Sequence, residues 1–468
     1  MAFASSGRKT LLVLTAVAAS AVLLWFGNGL DPVWPLMWLA PLPVLLVATR
    51  TSWPVAGAAA FVAWLAGSLS FWHYMVGVLG MPVGAWAIVF GIASLLFAGA
   101  VLLFRALMLR GHFWSASVAF PAAWVSGEFV NNLTSPHGTA GSLAYTQLHF
   151  LPFLQLASVT GPWGMSFVLL LFSAAVAVGI QARRWRITGV SVAMIAVILI
   201  FGWLRLANRN SDPTVVVGLI ASDETRGIAE RGVRSEQLFA EYAAKAREVA
   251  AQGAQVIVLP EKLGVVGEDV KVVDTGFQSL VDQIKVPVIV GVVRVEGETK
   301  YNEARVYVPA GTVMTYDKQH MLPPFESDLK PGTELALLRE MPGTWGVAVC
   351  KDMDFTNPAR KYGVADVGLM LVPAWDFVVD RSWHGHMAIM RGVENGYSVA
   401  RAARGGLLTV SDDRGRIVAE ARSNAGPFST LIARVPVQHE KTIYSRLGDW
   451  FGWVAIVLLV VAVGRLVF

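Results

Sequence analysis

Apolar runs long enough to cross a bilayer fill almost all of residues 1–206, which leaves this chain few folds to choose from. A spanning helix needs about 17–25 consecutive apolar residues, because inside a bilayer the backbone must satisfy its own hydrogen bonds. Seven such runs are read at 10–27, 33–49, 54–77, 84–109, 113–130, 162–181 and 187–206. An eighth, DWFGWVAIVLLVVAVGRLVF, occupies 449–468. Acids in the first 206 residues are scarce, chiefly Asp31 and Glu128. From Asn208 to about Arg446 the texture becomes that of ordinary soluble protein, with acids, bases, Gly and short Val-rich runs. The expectation is a polytopic α-helical membrane bundle of about eight spans: seven in residues 1–206, one inserted soluble domain at 207–446, and a closing helix at 447–468.

Lys and Arg in short loops favour the cytoplasmic side. Arg8 and Lys9 precede the first run, Arg50 follows the second, Arg105 and Arg110 end the fourth, and Arg183, Arg184 and Arg186 join the last two of the bundle. The intervening loops 28–32, 78–83 and 131–161 hold neither Lys nor Arg. That alternation predicts an extracytoplasmic soluble domain. It also accounts for the basicity, since a net +5 over 468 residues is too thin for a nucleic-acid surface. Residues 1–27 could alternatively be a signal peptide, but further spans follow at once.

The chain has one cysteine, which excludes an internal disulfide and a multi-cysteine metal site. A lone thiol in an exported domain is either a buried small hydrophobe or a used one. The soluble part reads as alternating strands and helices. Strands are expected at 215–220, 255–260, 286–295, 304–309, 345–350 and 367–373, a helix at 235–253, and a hairpin at 408–420. Three strand ends carry reactive residues: Glu261, Cys350 and the pair Trp375–Asp376. Binding chemistry gathers at such carboxyl ends in open α/β folds.

The runs VIVLPE (256–261), YDKQHMLPPFE (316–326) and GVAVCKDMDF (346–355) resemble, in that order, the Glu–Lys–Cys signature of the nitrilase (carbon–nitrogen hydrolase) superfamily. RGVENGYSVARAARGG (391–406) and SDDRGR (411–416) resemble later segments of that fold. PAAWVSGEF (121–129), AYTQ (144–147) and TIYSRLGDW (442–450) resemble the apolipoprotein N-acyltransferase family. The resemblance implies an α/β nitrilase-like αββα sandwich inserted in the bundle, working at the bacterial cytoplasmic (inner) membrane with its catalytic domain on the periplasmic face. It implies a phospholipid acyl donor, a lipoprotein acceptor and no cofactor.

Acyl transfer needs a nucleophile, a base and donors for an oxyanion. The expected nucleophile is Cys350, the base Glu261, and the oxyanion partner Lys318 with a backbone N–H near Lys351. Glu326, Asp352 and Trp375 are expected to support the site or position substrate. Phe325, Phe355, Trp375 and Phe377 could line an acyl channel or simply be core. The family usually shows Tyr-Glu after the nucleophile, where this chain has Lys351-Asp352, and Asn at the position of Arg404. Lys262 and the Pro136-His137-Gly138 segment also depart from its pattern.

Other chemistries find less support. His384 and His386 could face one way on a strand as metal ligands can, but no third ligand stands at a useful spacing, so no metal is expected. No phosphate loop or dinucleotide fingerprint occurs. Arg391 and Glu394 are expected as a structural ion pair. Two alternatives to the acyltransferase stay open: a membrane-tethered nitrilase-type amidase with water as acceptor, and a catalytically silent scaffold.

Overall fold

The computed structural model describes residues 2–208, 213–223, 233–267 and 270–467. They form two units. One comprises the chain up to Leu133, Gly141–Leu206 and the residues from Leu447 on; the other comprises Thr134–Ala140 and Ala207–Arg446. The sequence reading placed Thr134–Ala140 in the loop 131–161 and counted it with the bundle of residues 1–206, whereas it belongs to the second unit.

The first unit is helical: α1 (Ala2–Gly27), α2 (Trp34–Met37), α3 (Leu42–Ala48), α4 (Trp53–Ser68), α5 (Val83–Leu109), α6 (Phe113–Thr134), α7 (Leu151–Leu154), α8 (Ala157–Ala182), α9 (Trp185–Ala207) and a C-terminal helix, Trp450–Val467. Among the described residues, five stretches are long and apolar enough to cross a membrane: Gly7–Gly27, Trp53–Phe71, Val83–Leu109, Ala157–Ala182 and Trp185–Ala207. The run at 33–49 is broken into α2 and α3, each opening on a proline at its first turn. Proline lacks the donor and clashes with the preceding turn, so Pro35, Pro41 and Pro43 prevent one continuous helix. The run at 113–130 does form one helix, but Ser, Asn and Glu128 dilute its hydropathy. Glu128 has a structural task there: its carboxylate accepts from Trp124 Nε1 at 2.8 Å, Leu143 N at 2.9 Å and Ser142 Oγ at 3.2 Å.

The second unit is an α/β sandwich. One sheet runs β13-β1-β2-β4-β5-β6, with β3 also on β4; the other runs β12-β11-β10-β9-β8-β7. In chain order the strands are β1 (Thr214–Ala221), β2 (Val256–Val258), β3 (Val265–Val266), β4 (Val288–Glu296), β5 (Thr299–Tyr307), β6 (Met314–Asp317), β7 (Ala336–Leu338), β8 (Thr344–Val347), β9 (Val367–Trp375), β10 (Ser398–Arg404), β11 (Leu407–Ser411), β12 (Ile417–Arg422) and β13 (Ser429–Pro436). Strands β1, β2 and β4 are parallel neighbours, as are β8, β9 and β10. Parallel strands buried on both faces read as continuous apolar runs, which is why Val-rich segments located them. One core lies between the sheets, where Val217, Val258 and Ile289 meet Val347, Leu371 and Ala400. A second joins the outer face of the first sheet to α10 (Val233–Ala251) and α11 (Val270–Ile284) through Tyr242, Val249, Leu280, Ile257 and Val290. Helices α12 (Thr356–Val364) and α13 (Trp383–Asn395) complete the second sheet's side. Each such aliphatic side chain contributes about 1.5–3 kcal/mol by leaving water.

Two details differ from the sequence reading. Trp375 is the last residue of β9 rather than a residue beyond it. His384 and His386 lie on helix α13, not on a strand. Two residues apart on a helix do not share a face, so the supposed ligand pair does not exist.

Candidate active site

Three connections bring the chemistry together. Glu261 follows β2, Lys318 follows β6, and Cys350 follows β8 at the head of a short 3-10 turn, Cys350–Asp354. Glu261 crosses close above β4. A Cβ on Gly291 would lie 2.4 Å from Pro260 O and 2.6 Å from Glu261 Cα, so only glycine admits the turn. Cys350 has φ of 45° and Lys262 of 52°. Left-handed backbone is costly for both residues, and it turns the Cys350 thiol off the strand end into the site.

Glu261, Lys318 and Cys350 line one cavity of about 240 Å³, together with Lys262, Leu322, Phe325, Glu326, Lys351, Trp375, Asp376, Phe377 and His384. Its polar groups are tightly paired. Lys318 Nζ donates to Glu261 Oε1 and to Glu326 Oε2, each at 2.9 Å, and all three residues are at most 2 % exposed. Burial opposes the Lys318 charge, but the two carboxylates hold its pKa well above the ordinary value. Asn302, on β5, donates to Glu261 Oε1 at 2.5 Å and Glu326 Oε1 at 2.8 Å, while Lys262 pairs with Glu326. Burial opposes the Glu326 charge, yet Lys318 and Lys262 hold its carboxyl down at about 2.

The thiol is held differently. Cys350 Sγ lies 3.6 Å from the Trp375 carbonyl oxygen. Burial, reinforced by the Glu261 charge, pushes the thiol well above its ordinary value, and Lys318 pulls it only partly back. A protonated thiol beside a carboxylate needs that carboxylate as base before it can attack. Thiol, carboxylate and ammonium in one cavity form the set that acyl transfer requires.

Asp352 does not face the cavity. Its carboxylate accepts from Tyr316 Oη, Gln319 N, His320 N and Val349 N at 2.8 to 3.2 Å, tying the Lys318 loop to the Cys350 turn. Trp375 presents its ring to the cavity, with the Arg404 guanidinium 3.5 Å from the ring centroid and Lys262 Nζ at 5.5 Å. Phe325 and Phe377 line the cavity, whereas Phe355 stacks on His320 at 3.7 Å instead. Arg391 and Glu394 form the expected ion pair, at 2.7 Å and fully buried.

Sequence reasoning missed Asn302, which carries no motif signal beyond being polar within a buried strand. It considered His384 only as a metal ligand and missed its ion pairs: Nδ1 meets Asp354 and Nε2 meets Asp380, both at 3.2 Å. Burial opposes the imidazolium, but Asp354 and Asp380 raise its pKa to about 10. The stability this lends is full below the unfolded value of about 6.5 and is lost as pH rises through 10. The thermal midpoint therefore falls between pH 7 and 10. His384→Gln lowers the midpoint at pH 7 and flattens that fall; parallel profiles for the two proteins would refute the assignment.

Residues 20–175 match the apolipoprotein N-acyltransferase N-terminal domain, and residues 226–443 match the carbon-nitrogen hydrolase family. An apolipoprotein N-acyltransferase of Geobacter metallireducens is 27 % identical over 93 % of this chain and 92 % of its own. One from Caulobacter vibrioides is 26 % identical over 83 % of this chain and 78 % of its own. Among solved structures, an amidase from Nesterenkonia sp. overlays with a TM-score of 0.41 at 20 % identity, covering 49 % of this chain and 91 % of that one.

Proposed function

The chain belongs to the apolipoprotein N-acyltransferase family, and we propose that Cys350 carries the acyl group from a phospholipid to a lipoprotein's N-terminal amine. It is an acyltransferase of lipoprotein biosynthesis and a bacterial inner-membrane protein. The eight-span topology (1–206, 207–446, 447–468) and a periplasmic catalytic domain are part of the same reading, supported by the Lys and Arg alternation of the short loops.

The observation that carries the mechanism is the convergence of Cys350, Glu261 and Lys318 on one cavity with an apolar side of Leu322, Phe325, Trp375 and Phe377. In the first step Glu261 takes the Cys350 proton and Sγ attacks the ester carbonyl carbon. Lys318 and a backbone N–H near Lys351 stabilise the tetrahedral oxyanion. Collapse breaks the ester C–O bond, and Glu261 returns the proton to the departing alkoxide, leaving a thioester and a lysophospholipid. In the second step the acceptor amine of the diacylglyceryl-cysteine attacks the thioester. Glu261 takes a proton from nitrogen, the C–S bond breaks, and the thiolate is reprotonated. Glu326, Asp352 and Trp375 position these groups: Glu326 through Lys318, Asp352 through both loops, and Trp375 by its carbonyl at the thiol.

Ligand cavities commonly run from about 300 to 1,000 Å³. At about 240 Å³ this one encloses the reacting part of a lipid and not two acyl tails. The test is intact-protein mass spectrometry after incubation with phospholipid. A dipalmitoyl donor should add one palmitoyl mass at Cys350, removable by hydroxylamine and discharged by a diacylated lipopeptide. Turnover of small amides without any lipid adduct would instead make it an amidase.

A further inference from the structure

Among the described residues, the cavity is lined by three lysines, and two are neutralised in place: Lys262 by Glu326, and Lys318 by Glu261 and Glu326. Lys351 is not. It is 3 % exposed, and among the described residues no carboxylate oxygen lies within 4.0 Å of its Nζ. Its partner is His137 Nδ1 at 2.9 Å. Burial and the Lys351 charge push His137 down to about 4, so the ring is neutral and Nδ1 accepts from the ammonium. Asp354 attracts Lys351 electrostatically, but its carboxylate is taken by His384. Burial leaves the Lys351 ammonium below its ordinary value, as expected of a buried cation without a full counter-charge.

His137 is built into this arrangement. It comes from the short Thr134–Ala140 segment that belongs to the catalytic unit. Thr139 donates to the Asp354 carbonyl through N at 3.0 Å and Oγ1 at 2.6 Å. Gly138, at φ of 56°, sits so close that a Cβ would be 2.8 Å from the same oxygen and 2.9 Å from the Phe355 ring. The segment is thus pressed onto the turn that carries Lys351.

A buried charge of this kind is stabilised when an anion arrives. Of the two substrates in the reading above, the donor carries a phosphate, and only the glycerol backbone separates that phosphate from the reacting ester. The fatty acyl chain is neutral, and the acceptor's reacting group is an amine. The transient oxyanion has Lys318. We propose that Lys351, held by His137, binds the phosphate of the phospholipid donor while its ester carbonyl sits at Cys350. This inference rests on the thioester reading of the same site.

The experiment compares two donors in detergent micelles with the full chain: a dipalmitoyl phospholipid and dipalmitoylglycerol, which lacks the phosphate. The readout is the ratio of their rates of Cys350 thioester formation. In Lys351→Met that ratio should fall about 10- to 100-fold, the usual worth of a charge-assisted hydrogen bond. Lys351→Arg should restore most of it, and His137→Gln should lower it by a smaller factor. An unchanged ratio in a folded Lys351→Met protein overturns the proposal, and so does a Lys351→Arg variant that behaves like Lys351→Met. Absence of thioester from either donor in the wild-type protein would instead overturn the reading beneath it.

Discussion

Cys350→Ala removes the acyl adduct entirely and lowers acyl transfer by about 10⁴-fold or more, the scale on which nucleophile deletions act. Cys350 is the chain's one thiol, so nothing else can form a thioester. The fold should tolerate the change, since one small buried side chain replaces another and Sγ makes only a long contact to the Trp375 carbonyl. Relief of a left-handed cysteine is not offered by alanine, which meets the same backbone restriction. Unfolding midpoints within a few degrees of wild type, together with complete loss of the adduct, are the expected result. Residual adduct after hydroxylamine-sensitive labelling of Cys350→Ala would sink the assignment of the nucleophile.

Glu326→Gln should have the largest effect on stability. The Glu326 carboxylate is 1 % exposed and serves Lys318, Lys262, Asn302 and the Leu322 amide together. Neutralising it leaves two buried ammonium groups sharing Glu261, and breaking a buried pair in this way costs about 3–5 kcal/mol. The pH behaviour has a defined sign. Because the folded pKa is depressed to about 2, the carboxylate stabilises the protein above its unfolded value of about 4.3. That contribution is lost as pH falls from there through 2. Chemical denaturation at pH 7 should show the deficit, and the difference between wild type and variant should shrink as pH falls through the window from about 4.3 towards 2. Lys318 also loses an anchor, so thioester formation should drop in the folded variant. A variant as stable as wild type at neutral pH would mean that Lys262 and Lys318 are neutralised by some other arrangement.

Much of the site was legible because its residues follow apolar strands. Glu261 and Cys350 stand where Val-rich segments stop, and such segments announce themselves in sequence. Lys318 was found by its place in the YDKQHMLPPFE run, which neither periodicity nor propensity would have singled out. Asn302 was invisible, since it is one polar residue on an ordinary strand whose value comes from two carboxylates far away in sequence. The pairing of His384 with Asp354 was equally hidden. Their meeting depends on α13 packing against the Cys350 turn, a contact that no local pattern encodes. The break between α2 and α3 was readable in principle, because three prolines lie in ten residues, but hydropathy averaged over the run concealed it.

The sequence by itself determined that apolar helical segments precede and follow one soluble α/β domain along the chain, because hydropathy and charge segregation act over neighbouring residues. It also determined that a single cysteine, preceded by Glu and Lys in motif order, is the candidate nucleophile. Only the tertiary structure decided how the charges are shared among those residues. Lys262, a departure from the family pattern, proves to be an ion-pair partner of Glu326, while Lys351, a residue of the same cavity wall, has its ammonium on a neutral histidine from Thr134–Ala140. The reason is physical. Compensation of a buried charge depends on distances of three to four ångströms between groups tens or hundreds of residues apart, and those distances exist only once the sheets have packed.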